Sequence, residues 1–437
     1  MMPSAAPYCR ITVLCALLLA ICYVYGCMQT TQNVTGNTKP SAATDTGNAK
    51  APGGNTNVTE RDDSTPSRQQ RPSFADAMQS LKPLGKVAGS RRAPLPVSDD
   101  AGNRSPSVDF SEAVNYARQL ESYSLLIWHN GELLLERYFN GFAAELRPNT
   151  ASMHKSVMAL LIAAAIDDGF IESVDTPVAD YLEQWRGRPE GDITIEQLLH
   201  MSSGLKPLSL EGGADSPRAK FVAQHNAMHD SRDRETTIRE ILMNMRLEAV
   251  PGSRFLYTNT NSQILCMVIE AATQKPYADY LSERLWRSIG ADDAYVWNYG
   301  ATGFPRTYTT LMATALDWLR IGLLIKDRGY MAGNQLISAA LVDAMTAPSP
   351  ANINYGWQIW LGNQYVAERF YNDAKTGPSF AAKQPFAVDD MIYLDGIGGQ
   401  RVYISRNKDL VIVRTGELRM DWDDSHLPNL VLAALAD

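Results

Sequence analysis

Apolar positions in this chain change their period twice, and the changes divide it into three parts. Ile11 to Val24 is a continuous apolar run with Arg10 before it and Gly26-Cys27 after it. It is shorter than the roughly 20 residues a membrane-crossing helix needs, and it has the build of an export signal. From Met28 to about Pro106 the large apolar residues are scattered and aperiodic among Ser, Thr, Asn, Gln, Gly and Pro. Such a stretch cannot bury enough surface to offset its ordering entropy, so 28–106 is expected to be a disordered tether. From Ser107 to the C-terminus the pattern becomes regular, and residues 107–437 are expected to form one folded domain.

Within that domain, helical spacing marks Asp109 to Leu120 as the first helix. Tyr123 to His129 and Glu132 to Phe139 alternate as strands around Asn130-Gly131, a dipeptide that tolerates the positive φ of a type I′ hairpin turn. Met391 to Leu394, Arg401 to Ser405 and Leu410 to Arg414 have strand character again, and Leu427 to Ala436 closes the chain as a helix. Between the two strand groups the pattern is helical: Val157 to Asp168, Ile195 to Met201, Ile238 to Asn244, Ser262 to Ala272, Tyr277 to Ile289 and Ala315 to Asp327. The expected class is α+β: one antiparallel sheet built from N- and C-terminal strands and flanked by helices, with a mostly helical region inserted.

Composition narrows the possibilities. At 437 residues, 45% hydrophobic and 20% charged, the chain is suited to a large core. Four of its five cysteines lie at or before Cys27, so the folded part keeps Cys266 alone and has no internal disulfide. Val24-Tyr25-Gly26-Cys27 resembles a bacterial lipobox, which makes Cys27 a lipidation candidate and 1–27 a lipoprotein signal. The protein is then exported and held at the cell-envelope membrane by that lipid. Ten basic residues face seven acidic ones in the tether while the whole chain is −8, so the domain is acidic and nucleic acid is excluded as a partner.

Candidate chemistry begins at Ser152-Met153-His154-Lys155, immediately before an apolar stretch that must be buried nearly all round. Residues three apart share a helical face, so Ser152 and Lys155 meet in the first turn. A lysine entering an apolar helix loses hydration, its pKa falls, and a neutral amine is a base. Asn149 and Thr150 are cap candidates. Downstream, Tyr257-Thr258-Asn259 places a phenol and an amide two apart before the next helix. A capping Ser near a snorkelling Lys has the same spacing, so the separate signals gain weight only together.

Together, Ser152-x-x-Lys155, Tyr257-Thr258-Asn259 and a glycine-rich turn before the last hairpin resemble the serine hydrolases of the class C β-lactamase and penicillin-binding-protein superfamily. Ile193 to Leu205, Pro251-Gly252 and Ala315 to Gly322 add to the resemblance, which spans Tyr123 to the C-terminus. It implies a β-lactamase-like fold and an acyl-enzyme on Ser152, with Lys155 and Tyr257 sharing the proton and Asn259 holding substrate. For the superfamily's Lys-Thr-Gly position there are three candidates. Lys375-Thr376-Gly377 matches literally, but Pro378 follows at once; Arg414-Thr415-Gly416 ends the last strand. Ile397-Gly398-Gly399-Gln400 stands directly before the closing hairpin, and Ile397-Gly398-Gly399 is assigned to the position. It implies substrate contacts at Ile397, Gly398, Gly399 and Gln400, with an oxyanion hole from the N–H groups of Ser152 and Gln400.

Ile397 cannot supply the cation that engages a β-lactam carboxylate. The resemblance is therefore nearest to the 6-aminohexanoate-dimer hydrolase and carboxylesterase branch, and a small ester or amide is the expected substrate. A β-lactamase or peptidoglycan D,D-peptidase, and a non-catalytic envelope binding protein, are the alternatives. No cofactor is implied. His225 and His229 have metal-compatible spacing but no third ligand, and Trp357 and Trp360 are expected to pack in the core, with one available to line the pocket.

Overall fold

The structure, a computed structural model, describes residues 81–90, 94–97, 108–206, 233–300 and 303–436. The run expected to be an export signal, Cys27, most of the expected tether, His225 and His229 lie outside the described residues.

Chain order begins with β1 (Leu84–Val87), α1 (Ser111–Gln119), β2 (Ser122–His129) and β3 (Glu132–Tyr138). A 3-10 turn at Ala151–Met153 leads into α2 (His154–Asp167), followed by α3 (Ile195–Leu199), α4 (Asp233–Met243), α5 (Asn259–Thr273) and α6 (Tyr277–Leu281). Next come β4 (Ala294–Trp297), β5 (Leu311–Met312), α7 (Ala315–Lys326), a small hairpin of β6 (Tyr330–Met331) and β7 (Asn334–Gln335), and α8 (Ala339–Met345). The chain closes with β8 (Trp360–Leu361), β9 (Glu368–Phe370), β10 (Ser379–Ala381), β11 (Ile392–Gly396), β12 (Gln400–Ser405), β13 (Leu410–Gly416) and α9 (His426–Ala434).

The main sheet has six strands in the order β3-β2-β13-β12-β11-β8 with antiparallel pairing throughout. The last strand thus pairs with the first, closing a long loop in the chain, as expected for a sheet assembled from both termini. Asn130 and Gly131 both take positive φ, 49° and 87°, in the β2–β3 turn. Both faces of the sheet are covered, so its strands are almost continuously apolar rather than half polar. Leu126, Leu394, Val402, Val411 and Val413 pack with α2, α5 and α7. Leu125, Ile127, Tyr393, Tyr403 and Ile412 pack with α1 and α9.

One expectation is corrected. The inner part of 28–106 is not tether: Leu84–Val87 pairs antiparallel with β4, and β4 with β5. Val87 is fully buried, and the Leu133 N–H donates to the Pro96 carbonyl at 3.0 Å. The strand is four residues long and is held by pairing with a distant segment, so its own composition carries no period to reveal it.

Candidate active site

Ser152 sits in the 3-10 turn just ahead of α2, whose residues from His154 to Ala165 are all buried. The preceding Ala151 has φ of 50°, a left-handed conformation that costs a non-glycine residue about 1 kcal/mol. Asn149 holds it there: its Oδ1 accepts from the Ala151 N–H at 2.7 Å. Thr150 makes no side-chain cap. Ser152 is half-buried in this turn, and Lys155, one turn on, is buried.

Lys155 is 1% exposed, and its Nζ lies 3.0 Å from Ser152 Oγ, 2.9 Å from Asn259 Oδ1 and 2.7 Å from the Tyr308 carbonyl oxygen. Burial drives its pKa down to about 7, opposed in part by the negative charge of Asp395. The neutral amine has two hydrogens and one lone pair. Two of its neighbours, the Asn259 and Tyr308 carbonyl oxygens, can only accept. With both N–H groups directed there, the lone pair is left facing the Ser152 hydroxyl. That is the geometry of a general base on a nucleophile.

The partners arrive on separate elements. Thr258 caps α5 through the Thr260 N–H at 3.3 Å, so Asn259 opens that helix and projects into the site. The Tyr257 N–H donates to the Tyr371 carbonyl at 2.9 Å, and its ring centroid lies 4.8 Å from Lys155 Nζ. Trp360, Tyr371 and Tyr355 surround that ring with centroids 6.0, 4.9 and 6.1 Å away. Trp357 and Trp360 are both buried as expected, and Trp360 is the one that reaches the site. Tyr308 comes in on the turn before β5, which is tied to the nucleophile turn by the Thr150 hydroxyl donating to the Leu311 carbonyl at 3.3 Å.

The glycine-rich turn reaches the nucleophile differently from the expectation. A Cβ added to Gly396, the last residue of β11, would lie 2.1 Å from the Thr150 carbonyl, so bare backbone abuts the Ser152 turn there. Ile397 follows at once. Gly398 and Gly399 lie against the C-terminal segment: a Cβ on Gly398 would meet Leu418 and one on Gly399 the Trp422 ring, each at 2.7 Å. Gln400 has packing partners of its own. It is fully buried opposite Gly396 in the β11–β12 ladder, and its side-chain amide exchanges bonds with Gly416 at 2.8 and 2.9 Å. Packing of the C-terminal segment against the turn decides which way these residues face.

Both rejected motifs are explained. Lys375-Thr376-Gly377 lies in the exposed connection between β9 and β10. Arg414 is buried, donating to Ser122 Oγ at 2.9 Å and to the Leu120 carbonyl at 2.7 Å. Beneath the site, Arg369 and Arg401 each bridge Asp395 and Asp424 at 2.6–3.1 Å, and the Tyr371 hydroxyl donates to Asp395 at 2.7 Å. Sequence reasoning passed over Tyr308 and the Asp395 cluster. The former acts through a backbone carbonyl that any residue type could supply, so it left no signal.

Comparison with known proteins supplies the family and the fold. The family model described as Beta-lactamase matches residues 108–417. The 6-aminohexanoate-dimer hydrolase of Paenarthrobacter ureafaciens is 25% identical over 321 residues, covering 72% of this chain and 77% of that protein. A Bacillus anthracis structure solved as a candidate 6-aminohexanoate-dimer hydrolase superposes with a TM-score of 0.63 at 21% identity, covering 82% of this chain and 91% of that one. A candidate β-lactamase from Bacteroides dorei gives 0.59 at 20% identity, covering 76% and 100%. These two structures share the fold.

Proposed function

The chain belongs to the beta-lactamase family and is a serine hydrolase, and from that premise we propose that it cleaves small esters or amides through an acyl-enzyme on Ser152. The observation that carries the reading is the Lys155 amine with two carbonyl acceptors and the Ser152 hydroxyl at 3.0 Å. Ser152 gives its proton to the Lys155 lone pair as Oγ attacks the substrate carbonyl. Tyr257, with its ring against Lys155, shares that proton on its way to the leaving group. Water then releases the acyl group. The developing oxyanion is held by the N–H groups of Ser152 and Ile397, the latter replacing Gln400 because the chain at Gly396 is what meets the nucleophile turn. Each such donor is worth about 3–4 kcal/mol in comparable sites.

An isoleucine at 397 favours substrates without a carboxylate next to the scissile bond, and the 6-aminohexanoate-dimer hydrolase relative supports amides as well as esters. The test is turnover of p-nitrophenyl esters, linear amides and β-lactams by wild type and Ser152→Ala, with intact mass spectrometry of the enzyme during turnover. Ester or amide turnover with a Ser152-dependent mass adduct is expected. Normal turnover by Ser152→Ala would refute the nucleophile, and β-lactams as the best substrates would refute the substrate class. We also propose that Cys27 carries a lipid anchor, which intact mass of the membrane-bound protein would show.

A further inference from the structure

We infer that His154 is a positioning residue for Lys155: it clamps the Thr309 carbonyl, so that the adjacent Tyr308 carbonyl keeps its hold on one amine hydrogen. The inference rests on the reading of Lys155 as the base.

His154 is fully buried, and its two ring nitrogens both have partners. Nδ1 lies 2.9 Å from the Thr309 carbonyl oxygen and Nε2 lies 2.8 Å from the Tyr277 hydroxyl. A carbonyl only accepts, so Nδ1 carries the hydrogen. Burial holds the imidazole pKa down to about 4, so the ring is neutral and Nε2 must accept from Tyr277. Burial likewise keeps the Tyr277 phenol protonated. One tautomer satisfies both contacts, and it leaves no lone pair free for proton transfer. His154 therefore takes no part in the chemistry directly.

Its geometry has a specific consequence one residue away. His154 and Lys155 are consecutive at the start of α2, and they hold consecutive carbonyls, Thr309 and Tyr308, of the segment before β5. Tyr277, on α6, completes a path that runs from its hydroxyl through the imidazole to that segment. Without the Nδ1 donor the segment keeps its ties at Thr307 and Leu311 but loses the one at Thr309, and the Tyr308 oxygen fixes the amine less closely. The lone pair of Lys155 then samples directions other than Ser152. Misplacement of a catalytic group by about 1 Å costs on the order of 100-fold in rate.

The test exploits where each substitute places its amide. His154→Asn keeps a donor at the position of Nδ1, while His154→Gln moves its amide toward Nε2 and loses the contact to Thr309. Active sites are counted with a fluorophosphonate, and kcat and KM are measured on one ester. His154→Gln is expected to lose about 10- to 100-fold in kcat with KM within about 2-fold, and His154→Asn to recover most of it. A role in packing alone would favour the larger glutamine, so equal variants, or Gln above Asn, would overturn the inference. If neither variant folds, Tyr277→Phe decides: kcat lower by about 3-fold at unchanged KM supports it, and wild-type kcat overturns it. Lys155→Met separates the two claims. Full activity there removes the base reading itself, whereas an inactive Lys155→Met beside a wild-type-like His154→Gln removes only the role of His154.

Discussion

Two kinds of buried cation feel the charge of Asp395 on β11, and the protein treats them in opposite ways. Arg369 and Arg401 are 4% and 0% exposed, yet burial does not discharge them, because Asp395 and Asp424 bridge both and hold their pKa values above the ordinary range. Lys155 is as deeply buried and has no carboxylate in contact among the described residues; its hydrogen-bond partners there are a hydroxyl and two carbonyl oxygens. Its pKa falls to about 7. Burial alone therefore does not make a base. Withholding the counter-ion does, and the stability lost at Lys155 is of the kind that active sites carry for function.

The largest effect expected from this contrast is in Lys155→Met, which keeps the volume and removes the base. Ester kcat/KM should fall by about 10³- to 10⁴-fold, at the upper end of what general-base groups contribute. Thermal stability should hold or rise, since an uncompensated amine leaves the core. A melting temperature that drops by more than about 5 °C would mean the amine was favourably paired after all, and the comparison would fail.

Asp424→Asn probes the other side. It leaves two guanidinium groups facing one carboxylate, and breaking a buried pair costs about 3–5 kcal/mol. For a domain of this size that lowers the melting temperature by about 5 °C, while kcat of the folded enzyme changes little. Activity lost in parallel with unchanged stability would show the cluster to be part of the chemistry rather than its support.

The third measurement is the pH dependence. Lys155 must be neutral to accept the Ser152 proton, so kcat/KM should decline about tenfold per unit below pH of about 7 and level off above it. The charge of Asp395 favours the ammonium, so Asp395→Asn should move that limb to lower pH. Stability responds in the adjoining window, above that limb. Between about 7 and the ordinary lysine value of 10.5, the unfolded chain holds a proton that the folded one has released. The Lys155 contribution to stability therefore rises with pH across that interval, and Lys155→Met should flatten it.

These differences bear on how much of the site could be seen beforehand. Ser152, Lys155, Tyr257 and Asn259 were legible because their local spacing relative to helix starts is itself the signal, and α2 was legible as a helix too apolar to be anything but buried. The β2–β3 turn was legible from the φ tolerance of Asn130-Gly131. What was not legible depends on distant chain. The facing of Gly398, Gly399 and Gln400 is set by Leu418, Trp422 and Gly416, and β1 is a strand only because β4 lies beside it. The Tyr308 carbonyl and the partners of His154 at Tyr277 and Thr309 likewise belong to no local pattern.

The smallest expected effect tests the same lesson from the opposite direction. Lys375 opens the one literal Lys-Thr-Gly in the chain, and a reading by motif alone would make it the cation that binds substrate. Its place is an exposed turn at φ of 53°, held by Asn372, whose Oδ1 accepts from the Thr376 N–H at 3.2 Å while its Nδ2 donates to the Thr376 carbonyl at 2.7 Å. A side chain there has no buried partner to lose, so Lys375→Ala should change stability by no more than about 0.5 kcal/mol and kcat/KM by less than about 2-fold. Should KM instead rise tenfold for a carboxylate-bearing substrate and stay fixed for a neutral one, the β9–β10 turn would have to fold over Ser152 during turnover. Ile397 would then lose its claim to the position, and with it the argument that this pocket selects uncharged esters and amides.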